Sequence, residues 1–261
     1  MEEPALGSCS EERRAILTGA NPAEMRQRRF YARIPSSPRC VLCYAPFGSP
    51  GSLWMRAIGR GQFAKNPRFC ERCFAGAASD VGGCEVEIAT LFVDVRGSTA
   101  LAERLGPTAY ATALHRYYGA ATAEMVANQA FIEITGDEVY GFFLPAWVPG
   151  GNAARAAAHT AERILRRVTQ LQVGAGIHTG TAWVGIVGDR TRVSDFRSIG
   201  DPVNVGARLV AQASAGECLI SEVAYQQAEL DWAKLDLRTL TLAGKSEPVR
   251  ARVMRVPPPA G

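Results

Sequence analysis

Lysine is almost missing from this chain. Lys65, Lys234 and Lys245 are its lysines, and the other basic residues among 29 are arginines. A lysine at a chemically apt position therefore stands out. Long apolar runs are missing as well. No segment approaches the ~20 consecutive apolar residues that a bilayer-spanning helix needs. The N-terminus has neither the basic start nor the apolar core of a secretory signal. Both absences argue for a cytoplasmic chain without a transmembrane segment. Charge of one sign is weak: the formal net charge is +4, and no basic run is interleaved with aromatic residues, which argues against a nucleic-acid polymer as partner. Histidine is scarce, and His115, His159 and His178 lack metal-ligand spacing; they read as structural or surface residues. Internal repeats and low-complexity segments are also absent.

What is present is an ordinary globular composition, 47% hydrophobic and 21% charged over 261 residues. That length has room for one substantial domain and a smaller module. The cysteines number seven, and an odd count without a secretion signal argues against a disulfide framework. Four of them form two C-x₂-C pairs, Cys40-Val41-Leu42-Cys43 and Cys70-Glu71-Arg72-Cys73, with 26 residues between the pairs. Two tight turns, each carrying two thiolates, build a tetrahedral four-sulfur site that suits one structural Zn²⁺. Iron and free redox-active thiols are the alternatives. The gap is longer than usual, so a stretch such as 48–62 is expected to loop out. Cys84 reads as a neighbouring thiol, and Cys9 and Cys218 as incidental.

Three regions follow from texture. Residues 1–38 read as a helical arm, with Ser10 capping a first helix through Leu17 and Asn21-Pro22 opening a second. Arg26, Arg28, Arg29 and Arg33 make that second helix basic, a solvated or packing face, with a partner or membrane surface as the alternative. Residues 39–84 form the cysteine module. Residues 85–261 read as an α+β domain with helices packed on an antiparallel-rich sheet. There Ala89–Val95 is a buried strand, and Ser98 or Thr99 caps a short helix. Pro107–Gln129 and Asn152–Leu171 are longer helices. Phe131–Thr135 and Val139–Leu144 form a hairpin around Gly136-Asp137-Glu138. Strands 172–178 and 182–187 flank an expected turn at Thr179-Gly180-Thr181, and Asp201–Ala213 is a helix with Pro202 in its first turn.

Asp94 closes a buried strand and Asp137 tips a hairpin, places that are adjacent on the central strands of a ferredoxin-like sheet. Two carboxylates held there repel unless cations join them, and hard divalent ions favour such oxygen donors. The backbone of Val95-Arg96-Gly97-Ser98-Thr99, at a helix start, offers donors to phosphate oxygens.

The segments Phe92–Thr99, Thr135–Glu138 and Ile199–Leu209 resemble, in order and spacing, the three signature blocks of class III adenylate/guanylate cyclases. The likeness covers about residues 86–256, and Gly176–Gly180 and Gly244-Lys245 resemble further family segments. It implies conversion of ATP or GTP to a 3′,5′-cyclic monophosphate and pyrophosphate in a head-to-tail homodimer. Asp94, Val95 and Asp137 of one subunit would bind two Mg²⁺ or Mn²⁺. Asn204 and Arg208 of the other would complete the site, four residues apart on one helix face. Gly97, Ser98, Thr99 and Lys245 would meet the phosphates. At the positions where adenylate cyclases read adenine with a lysine and an Asp or Thr, this chain has Glu133 and Arg197. Glu is also the guanylate cyclase residue at the first of these. An acceptor beside a donor complements guanine, so the lean is toward GTP with relaxed selectivity; mutual pairing of Glu133 and Arg197 is the alternative. The functional alternative is a catalytically silent nucleotide-binding or dimerisation module, and the cysteine module could itself be an interaction element.

Overall fold

The structure is a computed structural model that describes residues 9–64, 67–79, 82–188, 194–230, 232–233 and 235–256. Lys65 and Lys234 lie outside the described residues, as do the two ends of the expected domains. Contacts divide the chain into a first unit of residues 1–86 with 182–199 and a second of 87–181 with 200–261. The first unit takes in the expected arm and cysteine module and adds residues 182–199, which were expected to belong with the C-terminal domain.

In the first unit, helix α1 (Glu11–Leu17) starts where Ser10 Oγ accepts from the Arg13 amide at 3.2 Å. Helix α2 (Pro22–Ala32) starts where Asn21 Oδ1 accepts from the Ala23 and Glu24 amides at 3.0 and 3.3 Å. Each cap satisfies amides that have no partner inside the helix. Segment 48–62 does not simply loop out, because α3 (Ser52–Ala57) forms inside it. Helix α4 (Glu71–Ser79) follows Cys70 directly. A small core gathers Tyr31, Cys40, Cys43, Ala45, Met55 and Cys70. Cys9 and Cys84 form a disulfide across 75 residues, which corrects the reading of Cys9 as incidental and of Cys84 as a thiol neighbouring the four-cysteine site. Only tertiary folding places the residue before the α1 cap beside the first residues of the long strand β1 (Gly82–Val95). Residues 183–188 pair antiparallel with strand β5 (Ser194–Ile199), and Phe196 meets Phe69 edge-on at 6.1 Å.

The second unit carries the C-terminal half of β1, then α5 (Ser98–Leu105), α6 (Pro107–Ala127), β2 (Phe131–Thr135), β3 (Glu138–Phe143) and α7 (Ala153–Arg167). There follow the part of β4 (Val173–Gly188) up to Thr181, then α8 (Asp201–Gln212), β6 (Glu217–Ser221), α9 (Glu222–Ala228), β7 (Asp236–Leu240) and β8 (Val249–Arg255). The sheet order is β2-β3-β1-β4-β6-β8-β7, with β5 paired to β4. All pairs with a described register are antiparallel except β4–β6. This is the expected α+β, ferredoxin-like architecture, an antiparallel-rich sheet with packed helices. Alternation along β1 buries Ala89, Leu91 and Val93 in one core with Tyr117, Ala121 and Met125 of α6 and Ala157, Ala161 and Ile164 of α7. Full burial of an aliphatic side chain of this size contributes about 1.5–3 kcal/mol. No helix among the described residues is long and apolar enough to cross a membrane.

Two local expectations fail for tertiary reasons. β4 runs unbroken through Thr179-Gly180-Thr181. Gly180 is there because α8 comes close: a Cβ would lie 2.9 Å from Pro202 Cγ. At α5 the N-cap is Gly97 in the left-handed region (φ 65°), with no side-chain cap from Ser98 or Thr99.

Candidate functional site

Strand register sets the first half of the site. β1 and β3 pair with Asp94 opposite Glu138, Phe92 opposite Tyr140 and Thr90 opposite Phe142. β2 continues the row with Glu133 opposite Tyr140. Directly opposed residues of an antiparallel sheet share a face, so Asp94, Glu138 and Glu133 lie on one side. Leu91 and Val93 point the other way. Phe92 and Tyr140 stack at 4.3 Å between the two acidic positions. Asp137 precedes Glu138 at the hairpin tip, and Tyr118 Oη donates to the neighbouring Gly136 carbonyl.

Among these acids stands Arg96. Its Nη2 donates to Asp94 Oδ2, and its Nη1 donates to the carbonyls of Val210 at 3.1 Å and Ala213 at 3.4 Å. Burial lowers the pKa of this guanidinium, while the charges of Asp137 and Glu138 act the other way. The Glu138 carboxyl is pushed up, first by burial and then by the charge of Asp137, with Arg96 opposing. Three carboxyl groups and a cation thus share one electrostatic neighbourhood. The donor set is oxygen-only, and a positive group already bonds to Asp94, so these residues fit hard divalent cations.

Helix α8 sets the second half. Thr90 Oγ1 donates to the His178 carbonyl at 3.1 Å and meets the Pro202 carbonyl at 3.5 Å. A Cβ on Gly206 would sit 2.6 Å from Thr90 Oγ1 and 2.8 Å from Phe92 Cδ2. Arg96 reaches Val210 and Ala213. These contacts, taken in order, lay α8 along β1 in the same direction, pressed close by a side-chain-free position. Pro202, Val205, Gly206, Leu209 and Val210 form its buried face. Asn204 is exposed and Arg208 half-buried on the side away from the sheet. A Cβ on Gly244 would come within 3.2 Å of Arg208 Nη2, which puts the guanidinium against that loop. Next in the chain, Lys245 Nζ donates to both Asp201 carboxylate oxygens at 2.6 and 2.7 Å. His178 lies near this pair. Burial pushes its pKa down to about 4, with Asp201 and Lys245 acting as smaller, opposed charges, and its Nδ1 is 2.8 Å from Ser221 Oγ.

The β1–β3 register sets Asp94 opposite Glu138, the residue after Asp137 at the hairpin tip, and Gly97 and the first turn of α5 follow β1 directly. Asn204 and Arg208 lie on α8, and Lys245 reaches its first residue, Asp201. Arg197 belongs to the first unit, on β5 opposite Gly185, with Nη2 3.1 Å from Asp195 Oδ2. Sequence reasoning passed over Arg96, Glu138 and Asp201 as participants. Arg96 and Glu138 sit inside quoted motifs, beside residues chosen for their chemistry. Asp201 had no local signal, because its partner is 44 residues away.

A second cluster lies wholly in the first unit. The sulfurs of Cys40, Cys43, Cys70 and Cys73 all fall within 4.8 Å of one another, and Cys43 and Cys70 Sγ are 3.7 Å apart. A tetrahedron of sulfurs at a Zn–S length of ~2.3 Å has an edge of about 3.8 Å. The Cys70 amide donates to Cys40 Sγ at 3.3 Å and the Cys73 amide to Cys70 Sγ at 3.4 Å. Arg60 Nη1 is 3.9 Å from Cys73 Sγ. Arg28, on the basic α2, turns inward: its Nη1 donates to the Val41 and Leu42 carbonyls at 2.8 and 2.9 Å, gripping the first cysteine turn. The four thiols converge as a set that could hold a metal ion.

Residues 152–250 match the family model described as the adenylate and guanylate cyclase catalytic domain. The uncharacterized protein Rv1318c of Mycobacterium tuberculosis is 31% identical over 182 residues, 66% of this chain and 33% of that protein. The chain thus spans about a third of the length of the curated relatives it matches. Among solved structures, the guanylyl cyclase Cya2 is 26% identical with a TM-score of 0.62, covering 69% of this chain and 97% of that one. The adenylyl cyclase CyaB from P. aeruginosa is 27% identical with a TM-score of 0.60, covering 69% and 100%. By that family match and those solved structures, residues 152–250 carry the signature of the adenylate and guanylate cyclase catalytic domain, in a fold like that of the class III cyclases, and a four-cysteine module precedes it.

Proposed function

We propose that the domain converts a purine nucleoside triphosphate, ATP or GTP, to its 3′,5′-cyclic monophosphate and pyrophosphate, as a head-to-tail homodimer. The observation that carries this reading is the placement of α8. Its inner face is used up on the sheet, against β1, β4, β6 and β8, and Asn204 and Arg208 face outward, where a second chain could bring its own strand-end acids. Asp94, Asp137 and the Val95 carbonyl would hold two Mg²⁺ or Mn²⁺ ions; such ions lower the pKa of a sugar hydroxyl and neutralise phosphate charge.

The remaining work falls to side chains of the two subunits. The Gly97-Ser98-Thr99 turn offers amides at a helix start to phosphate oxygens. Asn204 orients the ribose, and Arg208 stabilises the charge that grows as the 3′-oxygen attacks the α-phosphorus. Lys245 meets the terminal phosphates and must leave Asp201 to do so. Glu133 lies on the same sheet face as Asp94 and presents acceptors suited to the N1–H and N2–H₂ donors of guanine. Adenine offers an acceptor at N1 instead, and an unpaired buried polar group costs about 1–3 kcal/mol. That supports a lean toward GTP. In the cysteine module, a structural Zn²⁺ would hold together a segment too small and loop-rich to fold on its own core.

The test is direct. Purified protein with Mg²⁺ or Mn²⁺ is incubated with ATP and with GTP, and cyclic product is measured. Product from at least one nucleotide, abolished by Asp94→Ala, is expected. A folded wild-type dimer that makes neither product would favour the silent-module alternative.

A further inference from the structure

We propose that Arg96 is a positioning residue that ties the state of the Asp94 carboxylate to the last turn of α8. This inference rests on the cyclase reading above. One guanidinium makes both connections: Nη2 donates to Asp94 Oδ2, Nε to the Asp94 carbonyl at 3.4 Å, and Nη1 to Val210 O at 3.1 Å and Ala213 O at 3.4 Å. The final carbonyls of a helix lack intrahelical donors and carry the negative end of its dipole, so a cation there is favoured. Only arginine has a rigid fork of donors wide enough to serve a carboxylate and a helix end together; lysine is a point charge. Side-chain exposures of 18% for Arg96 and 24% for Asp94 leave both groups mostly out of water.

Arg96 therefore occupies the electrostatic place that a divalent cation on Asp94 would claim. Two positive groups so close repel. Cation uptake weakens the Nη2 contact and leaves the guanidinium to Val210 and Ala213 alone. That change acts on the helix that carries Asn204 and Arg208, which β1 also meets at Thr90 and Phe92. In a head-to-tail dimer, α8 completes the opposite site. Arg96 then links cation occupancy in one site to the transition-state residues of the other, within a single chain.

The experiment uses Mn²⁺ alone, without nucleotide, on the full chain. Free Mn²⁺ is counted by its aqueous electron-spin resonance signal, and hydrogen exchange is followed in peptides covering 205–214 with and without the ion. Asp94→Ala should lose Mn²⁺ binding. Arg96→Ala should bind Mn²⁺ about fivefold more tightly, because the internal competitor is gone, and Arg96→Lys should stay within about twofold of wild type since it keeps the charge. Wild type should show a Mn²⁺-dependent change in exchange across 205–214, and both Arg96 variants should lack it. An Arg96→Ala affinity equal to or weaker than wild type overturns the proposal, as does an α8 response that persists in the variants. If Arg96→Ala does not fold, the α8 response of Arg96→Lys decides alone. Failure of the cyclase reading is distinct: Asp94→Ala would then bind Mn²⁺ as wild type does.

Discussion

Two chains disabled in different half-sites should repair each other. In Asp94→Ala the strand-end carboxylate is gone but α8 is intact. In Arg208→Ala the acids are intact but the outward-facing guanidinium is gone. Arginines that stabilise phosphoryl-transfer charge are worth about 10³–10⁵ in rate, so each variant alone should fall below about 10⁻³ of wild type. A head-to-tail dimer of the two has one site with both lesions and one with neither. Random pairing makes half of the dimers mixed, each with one intact site of two, so an equimolar mixture should recover about a quarter of wild-type activity. Dimers purified through two different tags should show about half. The control reverses the arrangement by pairing wild type with a chain carrying both substitutions; every site in that dimer has one lesion, and activity should be lost. Complete sites within each chain would give the opposite pattern, with the first dimer dead and the second half active. The assay is cyclic product formed with Mn²⁺ and the preferred nucleotide. That opposite pattern would refute the shared-site argument drawn from α8.

Other consequences are open to measurement. Metal analysis of the purified protein should find about one Zn²⁺ per chain, lost in a Cys40→Ser, Cys43→Ser variant along with thermal stability of the first unit; stoichiometric iron, or no metal with unchanged melting, would contradict it. Glu133→Lys should move the GTP-to-ATP product ratio toward ATP by about five- to 150-fold, matching about 1–3 kcal/mol of altered pairing; an unchanged ratio would remove Glu133 from base selection. Lys245 is held by a partly exposed pair with Asp201, so Asp201→Asn should release it and lower KM by up to about fivefold, with kcat little changed. His178 should shape the acid limb of stability. Its folded pKa of about 4 lies below the ordinary 6.5, so the unfolded chain takes up the proton first. Stability from this group is complete above pH 6.5 and declines as pH falls toward 4, by up to about 3 kcal/mol. Denaturant titrations of His178→Asn across that range should show a flatter decline.

Local chemistry was legible wherever its cause is local. Ser10 and Asn21 cap helices because their side chains reach amides two or three residues on, and a continuous apolar run marked β1 down to Asp94. The cysteine pairs were readable because each turn holds its own two ligands. Where the cause was tertiary, the same kinds of residue misled. Thr179-Gly180-Thr181 looks like a turn, yet Gly180 is small because Pro202 packs on it inside a continuous strand. Ser98 and Thr99 look like caps, yet Gly97 enters the helix in the left-handed region and no side-chain cap forms. Cys9 looked idle until folding set it beside Cys84.

The site divides along the same line. Spacing alone could say that Asn204 and Arg208 share a face, but not which face the sheet would consume. Thr90 and Phe92 of β1, with Arg96 just beyond the strand, decide that, because they meet Pro202, Gly206 and Val210. Those three residues are spaced by four and so share one face of α8. That packing leaves residues 204 and 208 turned outward. It also makes the strand-end acids and the helix face separate surfaces of one chain, a division that a partner in the reverse orientation would unite.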